Sequence, residues 1–161
     1  MNPESELGDL AQQVLSRYRA IGKRIATAES CTGGLIAAAL TAIPGSSDVF
    51  ERGFVTYSNQ AKIDMLGVDA GRLERFGAVS AETAAAMARG ALEFSKAEVA
   101  ISVTGVAGPG GGSAQKPVGL VFIGIAGHGA PTRAQECRFA DLGRHFIRLE
   151  SAKTALRLLL A

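Results

Sequence analysis

The sequence predicts an α/β fold: a three-layer α/β/α sandwich built on a mixed, mostly parallel sheet of about five strands. Three observations lead there. Segments whose apolar residues recur at helical spacing alternate along the chain with short strand-like segments. The run from Val118 to Ala126 is almost entirely apolar, as in a central strand buried on both faces. Late in the chain, two strand segments flank the turn Gly127-His128-Gly129-Ala130-Pro131, so the sheet contains an antiparallel hairpin.

The elements follow in order. Residues from about Glu4 to Ala20 form a helix, because Leu7, Leu10, Ala11, Val14, Leu15 and Tyr18 make one apolar stripe. Lys23 to Ala28 is a short strand. Leu35 to Leu40 is a helix stopped by Pro44-Gly45. Phe50 to Tyr57 is a strand, followed by a short helix around Gln60–Leu66 and then a Gly-containing loop. Ser80 caps a helix that runs through Ala84, Met87, Ala88, Ala91 and Leu92. Val99 to Thr104 alternates like a strand, and Gly105 to Ser113 is a loop. After the Val118–Ala126 strand, Thr132 to Phe139 is more polar and belongs near an edge. Asp141 is placed to cap a last helix with Phe146, Leu149, Ala152, Leu156 and Leu159 inward.

Composition narrows the function classes. At 161 residues the chain suits one domain with a sizeable core. No repeat or linker divides it, so residues 1–161 read as a single domain. With 47% apolar and 20% charged residues it is a globular chain. A formal charge of +2 and the lack of a basic cluster interleaved with aromatics argue against a nucleic-acid partner. No apolar run reaches the length of a membrane span, so no membrane partner is expected. The segment Met1-Asn2-Pro3-Glu4-Ser5-Glu6 is acidic and polar, unlike a signal peptide. Cys31 and Cys137 have neither metal-ligand spacing nor the number for a disulfide framework, so the expected location is cytoplasmic. Ala-rich helix faces suit a homo-oligomer and equally suit close helix–sheet packing.

In such folds ligands bind at the carboxyl ends of the parallel strands. Three chemistry-bearing segments fall there. The turn Ala28-Glu29-Ser30-Cys31-Thr32-Gly33-Gly34 puts a hydroxyl and a thiol at a helix N-terminus, where free N–H groups and the helix dipole favour an anion. The same N–H groups could receive an oxyanion, and Gly33 and Gly34 clear the approach. The competing reading is a helix-capping Ser30 or Thr32. Next, Tyr57-Ser58-Asn59 ends the second strand, with Lys62 one turn on. Lysine serves as a base when burial lowers its pKa; the competing reading is a solvated lysine and a packed tyrosine ring. His128 lies in the hairpin turn, so a Ser-His-Asp triad is poorly supported. Third, the Gly-rich run after Thr104-Gly105 could cradle a phosphate or simply connect two strands. Arg144 and Arg148 are candidate anion ligands, or else a solvated face. Cys31 gains a lowered pKa from a helix N-terminus, but no histidine is placed to assist it.

Three segments together resemble the CinA C-terminal domain family, whose stand-alone members are nicotinamide-nucleotide amidohydrolases of the PncC type. They are Thr27 to Leu35, Gly53 to Asn59 with Lys62, and Val103 to Pro109. Gly77-Ala78-Val79-Ser80, Lys116-Pro117-Val118-Gly119, Gly143-Arg144 and Ile147-Arg148 also match, so the resemblance covers nearly the whole chain. It implies a three-layer α/β/α fold and deamidation of nicotinamide mononucleotide to nicotinate mononucleotide and ammonia in pyridine nucleotide recycling. It implies Ser30 as nucleophile and Lys62 as general base, with Tyr57 orienting Lys62 or relaying its proton. It also implies Thr104 and Arg144 as supporting site residues; with Thr32, Gly33, Gly34 and Gly105 from the strand-end loops these make the expected substrate-binding set, the phosphate meeting Arg144 or the Gly-rich loop. No metal or other cofactor is called for, and the partner is the small-molecule substrate. Many members carry a further N-terminal domain with no counterpart here, and Val106 stands where isoleucine is the more usual residue. The alternative functions are a non-catalytic nucleotide-binding regulatory module or a competence or DNA-damage accessory module.

Overall fold

The computed structural model describes residues 3–161. Its elements run α1 (Pro3–Ala20), β1 (Ile25–Glu29), α2 (Leu35–Thr41), a 3-10 turn (Ser46–Asp48), β2 (Phe50–Val55), α3 (Asn59–Leu66), α4 (Ala70–Phe76), α5 (Ala81–Glu93), β3 (Val99–Gly105), β4 (Leu120–Gly127), β5 (Ala130–Arg138) and α6 (Arg144–Leu160). The sheet is mixed and five-stranded, in the order β2-β1-β3-β4-β5. The pairs β2/β1 and β1/β3 are parallel, whereas β3/β4 and β4/β5 are antiparallel. The polar strand, β5, is an edge.

Helices cover both faces. One face packs Ile25, Ile101, Val103, Val121 and Ile123 against α1, α2 and α6. The other sets small residues, Ala26, Ala28 and Ala100, against α3, α4 and α5. Small side chains let α5 lie close to the sheet: a Cβ added at Gly124 would stand 2.4 Å from the Ala84 carbonyl oxygen. Ser102 makes the same approach a bond, donating its hydroxyl to that oxygen at 2.6 Å.

Two expectations need correction. The segment after α3 holds a short helix, α4, rather than only a loop. Asp69 caps it by accepting from the Arg72 amide at 2.9 Å. Only Leu73 is buried there, so no apolar stripe announces the helix. Asp141 does not cap the last helix. It is exposed three residues ahead of Arg144, and Gly143 at φ 101° is the N-cap, without a side-chain bond.

The position of α3 depends on its contact with α5. A Cβ at Gly90 would lie 2.0 Å from the Leu66 carbonyl oxygen, so α3 can approach α5 this closely only over glycine. Helix propensity alone would make Gly90→Ala stabilising by about 1 kcal/mol. Overpacking outweighs this, and urea titration should show Gly90→Ala destabilised by about 1–3 kcal/mol.

Candidate active site

Ser30 sits at the carboxyl tip of β1. Its amide donates to the Val103 carbonyl at 2.9 Å, extending the ladder onto β3. Beyond it the chain turns through Gly33 (φ 59°) and Gly34 (φ 101°), conformations that glycine takes without a steric cost. Side chains alternate along a strand, so Glu29 and Ser30 leave β1 toward opposite faces. The buried Glu29 carboxylate accepts from the amides of Ile36 at 2.9 Å and Ala37 at 3.0 Å. It therefore fills the N-terminus of α2. Neither Ser30 nor Thr32 caps this helix, which removes the capping reading of both. The amides of α2 are also not the free anion receptor that the sequence suggested. The Gly33 amide is bonded to the Ser30 carbonyl at 3.0 Å, whereas the amides of Thr32 and Gly34 have no acceptor among the described residues.

On the opposite face, Ser58 caps α3 by accepting from the Ala61 amide at 3.0 Å. That places Lys62 one turn in, only 1% exposed, not on a solvated face. Its Nζ donates to Ser30 Oγ at 3.0 Å, to the Thr56 carbonyl at 2.8 Å and, weakly, to the Tyr57 carbonyl at 3.5 Å. All three partners are neutral oxygens. Burial lowers the Lys62 pKa below the ordinary lysine value, and the opposing influence is the Cys31 thiol. Burial also pushes the Cys31 thiol up to about 11, so at neutral pH it is uncharged and does little to hold a proton on Lys62. This disfavours Cys31 as a nucleophile. Two buried hydroxyls in the same loops, Thr32 Oγ1 and Thr56 Oγ1, have no hydrogen-bond partner among the described residues.

Tyr57 is exposed, and its phenol oxygen accepts from Arg144 Nη2 at 2.7 Å. Arg144 Nη1 donates to the Gly108 carbonyl at 2.9 Å, tying the end of β2 to the Gly-rich loop. The expected contact between the Tyr57 ring and Lys62 is thus replaced by one to Arg144; only the Tyr57 backbone reaches the amine. Thr104 is buried with its hydroxyl donating to the Ala78 carbonyl at 2.8 Å, so it pins the segment before α5 instead of offering a free donor. Gly105 faces β4, where an added Cβ would lie 2.6 Å from Val121 Cγ2, which gives it a packing reason to be glycine. His128 lies at the other end of the sheet, near Glu98, and exposed His145 lies 3.9 Å from Glu4.

Arg148 is not a free anion ligand. Its Nε donates to the Cys31 carbonyl at 3.1 Å and its Nη2 to the Thr32 carbonyl at 2.9 Å. Sequence reasoning passed over Glu29 as a site residue, although a carboxylate just ahead of a glycine turn and a helix is a capping signal. For Arg148 the signal was its spacing from Arg144, which puts both on one face of α6. Among the described residues no group of three or more His, Cys, Asp or Glu could hold a metal ion, and no helix is long and apolar enough to cross a membrane.

Comparison with known proteins finds similarity along nearly the whole chain. The CinA C-terminal domain model matches residues 7–161. The chain is 48% identical over 158 residues to the nicotinamide-nucleotide amidohydrolase PncC of Enterobacter agglomerans, covering 96% of each. It is 55% identical over 125 residues to a CinA-like protein of Geotalea daltonii, spanning 29% of that longer protein. Among solved structures, the competence/damage inducible protein CihA of Agrobacterium tumefaciens superposes with a TM-score of 0.94 at 52% identity, over 96% of this chain and 94% of that one. A CinA superfamily protein of Escherichia coli gives a TM-score of 0.90 at 36% identity, over 96% and 90%.

The burial of Lys62 has a consequence for stability. Its folded pKa lies below the 10.5 of an unperturbed lysine, so between those two values the unfolded chain binds more protons. Stability therefore rises with pH across that window, and below it the buried ammonium is a constant cost. Lys62→Met should melt at or above the wild-type temperature at neutral pH, by about 2–4 °C per kcal/mol gained. The gap should close as pH approaches 10.5. A variant that melts well below wild type would contradict this.

Proposed function

This chain belongs to the CinA C-terminal domain family, and from that premise we propose that it is a serine amidohydrolase that deamidates nicotinamide mononucleotide to nicotinate mononucleotide and ammonia. The observation that carries the reading is the buried hydrogen bond between Lys62 Nζ and Ser30 Oγ at 3.0 Å, in a site where burial favours the neutral amine. The near full-length similarity to an amidohydrolase of this substrate class supports the choice of substrate. Neither chemistry nor substrate calls for a cofactor, and the free, buried Cys31 and Cys137 suit a cytoplasmic enzyme.

In this mechanism neutral Lys62 takes the Ser30 proton as Oγ attacks the carboxamide carbon. The carbonyl oxygen becomes an oxyanion, held by amides of the Ser30 turn that the protein leaves unengaged. When the intermediate collapses, the C–N bond breaks and Lys62 returns its proton to the departing ammonia. Water then attacks the acyl-serine while Lys62 takes its proton, and Ser30 Oγ leaves with that proton as the acid product forms. The net change is carboxamide plus water to carboxylic acid plus ammonia. Arg144 or the Gly-rich loop is our candidate contact for the substrate phosphate, and the bonds of Arg144 to Tyr57 and to the Gly108 carbonyl, which bring the two together, support that reading.

Ammonia release from nicotinamide mononucleotide tests this directly. Ser30→Ala should lose about 10³-fold or more in kcat, whereas Cys31→Ala should stay within about tenfold of wild type. Full activity in Ser30→Ala, or loss confined to Cys31→Ala, would move the chemistry off Ser30. The pH profile carries a second expectation. A base that must be neutral loses activity on protonation, so kcat/KM should fall about tenfold per pH unit below the lowered Lys62 pKa. That acid limb should vanish in Lys62→Met along with about 10²–10⁴-fold of the rate.

A further inference from the structure

We propose that Tyr57 is a positioning residue that sets specificity: it holds Arg144 as a strap over the tip of β1, and a phosphate monoester on the substrate releases that strap and opens the way to Ser30. This rests on Ser30 as the nucleophile and on Arg144 as the phosphate contact. The strap is one guanidinium. Its Nη2 donates to the Tyr57 phenol oxygen at 2.7 Å and its Nη1 to the Gly108 carbonyl at 2.9 Å. Tyr57 follows β2 and Gly108 follows β3. In the order β2-β1-β3, the strand whose tip carries Ser30 runs between them. Strands two places apart are separated by about 9–10 Å, and Arg144 joins the segments that leave them. Arg148, one turn along α6, bonds the Cys31 and Thr32 carbonyls, which anchors the start of α6 to the turn after Ser30. Burial dominates the raised pKa of the Cys31 thiol, and the charge of Arg144 is near enough to oppose it.

Ser30 is only 8% exposed, and its partner Lys62 is buried more deeply still. A carboxamide carbon has to reach Ser30 Oγ, so part of the rim must move. Most groups around the pair are tied to backbone: Thr104 holds the Ala78 carbonyl, and Arg148 holds two carbonyls of the turn. Tyr57, by contrast, is 60% exposed, and Arg144 is exposed as well. Water can compete for both ends of their bond. Among the described residues no carboxylate forms an ion pair with Arg144. A phosphate accepts a guanidinium fork in two charge-assisted bonds, which outweigh bonds to neutral oxygens. An uncharged amide offers Arg144 nothing in exchange. Binding energy gained at the phosphate end thereby uncovers the reacting end.

The test uses the full chain and a substrate in two pieces: nicotinamide riboside, which lacks the phosphate, and inorganic phosphite, which supplies the anion. At matched ionic strength, phosphite should raise riboside turnover by wild type about tenfold or more, and saturably. Arg144→Met should abolish that activation. Tyr57→Phe keeps the ring and the cation but removes the phenol acceptor. It should raise riboside kcat/KM without phosphite by about 2- to 10-fold and shrink the activation by the same factor. A merely structural tyrosine predicts the reverse, since a damaged fold turns over both amides more slowly. Where riboside turnover is too slow to measure, labelling of Ser30 by a small neutral fluorophosphonate reads the same access. Phosphite should accelerate that labelling in wild type, and less so in Tyr57→Phe. Phosphite that fails to accelerate either turnover or labelling overturns the proposal. So does a folded Tyr57→Phe that reacts no faster than wild type without phosphite. Should Tyr57→Phe fail to fold, the phosphite effect on wild type and its loss in Arg144→Met decide. A wild type that releases no ammonia from nicotinamide mononucleotide overturns the amidohydrolase reading, while phosphite-accelerated labelling of Ser30 still upholds the strap. A Ser30-dependent amidohydrolase indifferent to phosphite overturns the strap alone.

Discussion

The structure is organised around one amine in an unusual place. Lys62 Nζ lies under the protein surface, 3.0 Å from Ser30 Oγ and surrounded by neutral oxygens. Burying an ammonium without a counter-charge is costly, and the cost appears as a lowered pKa. A lysine so placed holds its proton less firmly than a solvated one. The site keeps it so by geometry. Glu29 is the residue next to Ser30 and is itself buried, yet the two-residue period of β1 sends its carboxylate to the α2 side. There the amides of Ile36 and Ala37 satisfy it. Had the carboxylate faced α3, it would have held the proton on Lys62.

The rest of the fold serves that separation. Alanines and glycines on the α5 face of the sheet draw α5 inward, and Gly90 lets α3 rest against α5. The Thr56 amide bonds the Glu29 carbonyl at 2.9 Å, so the segment just after β2 that carries the carbonyl acceptors of Lys62 is tied to the end of β1, next to Ser30. On the other face, α6 brings Arg148 to the turn and Arg144 to the rim, where it joins Tyr57 and Gly108.

Much of this was legible in the sequence, and the gaps have physical causes. Periodicity revealed the long helices and the apolar strand β4, and Ser80 announced α5 as a cap does. Helix α4 stayed hidden because it buries only Leu73. At the site, residue types and spacing pointed to Ser30 and to Lys62. Exposure is not written in the spacing, so a buried lysine and a solvated one looked alike until α3 was placed. Tyr57 illustrates the opposite limit: its position near Lys62 was legible, but not that its ring leans across to an arginine 87 residues away. Arg148 was recognised as a cation in search of an anion, and its partners proved to be two backbone carbonyls, which no side-chain pattern encodes.

Labelling by a fluorophosphonate, which phosphonylates an activated serine, is the measurement that most directly tests the Ser30–Lys62 pair. A single adduct should map to the Ser30 peptide. Its rate should climb with pH as Lys62 loses its proton and should collapse in Lys62→Met, although that variant remains folded. Labelling that falls on Cys31, or that proceeds on Ser30 at the same rate with and without the Lys62 amine, would contradict it.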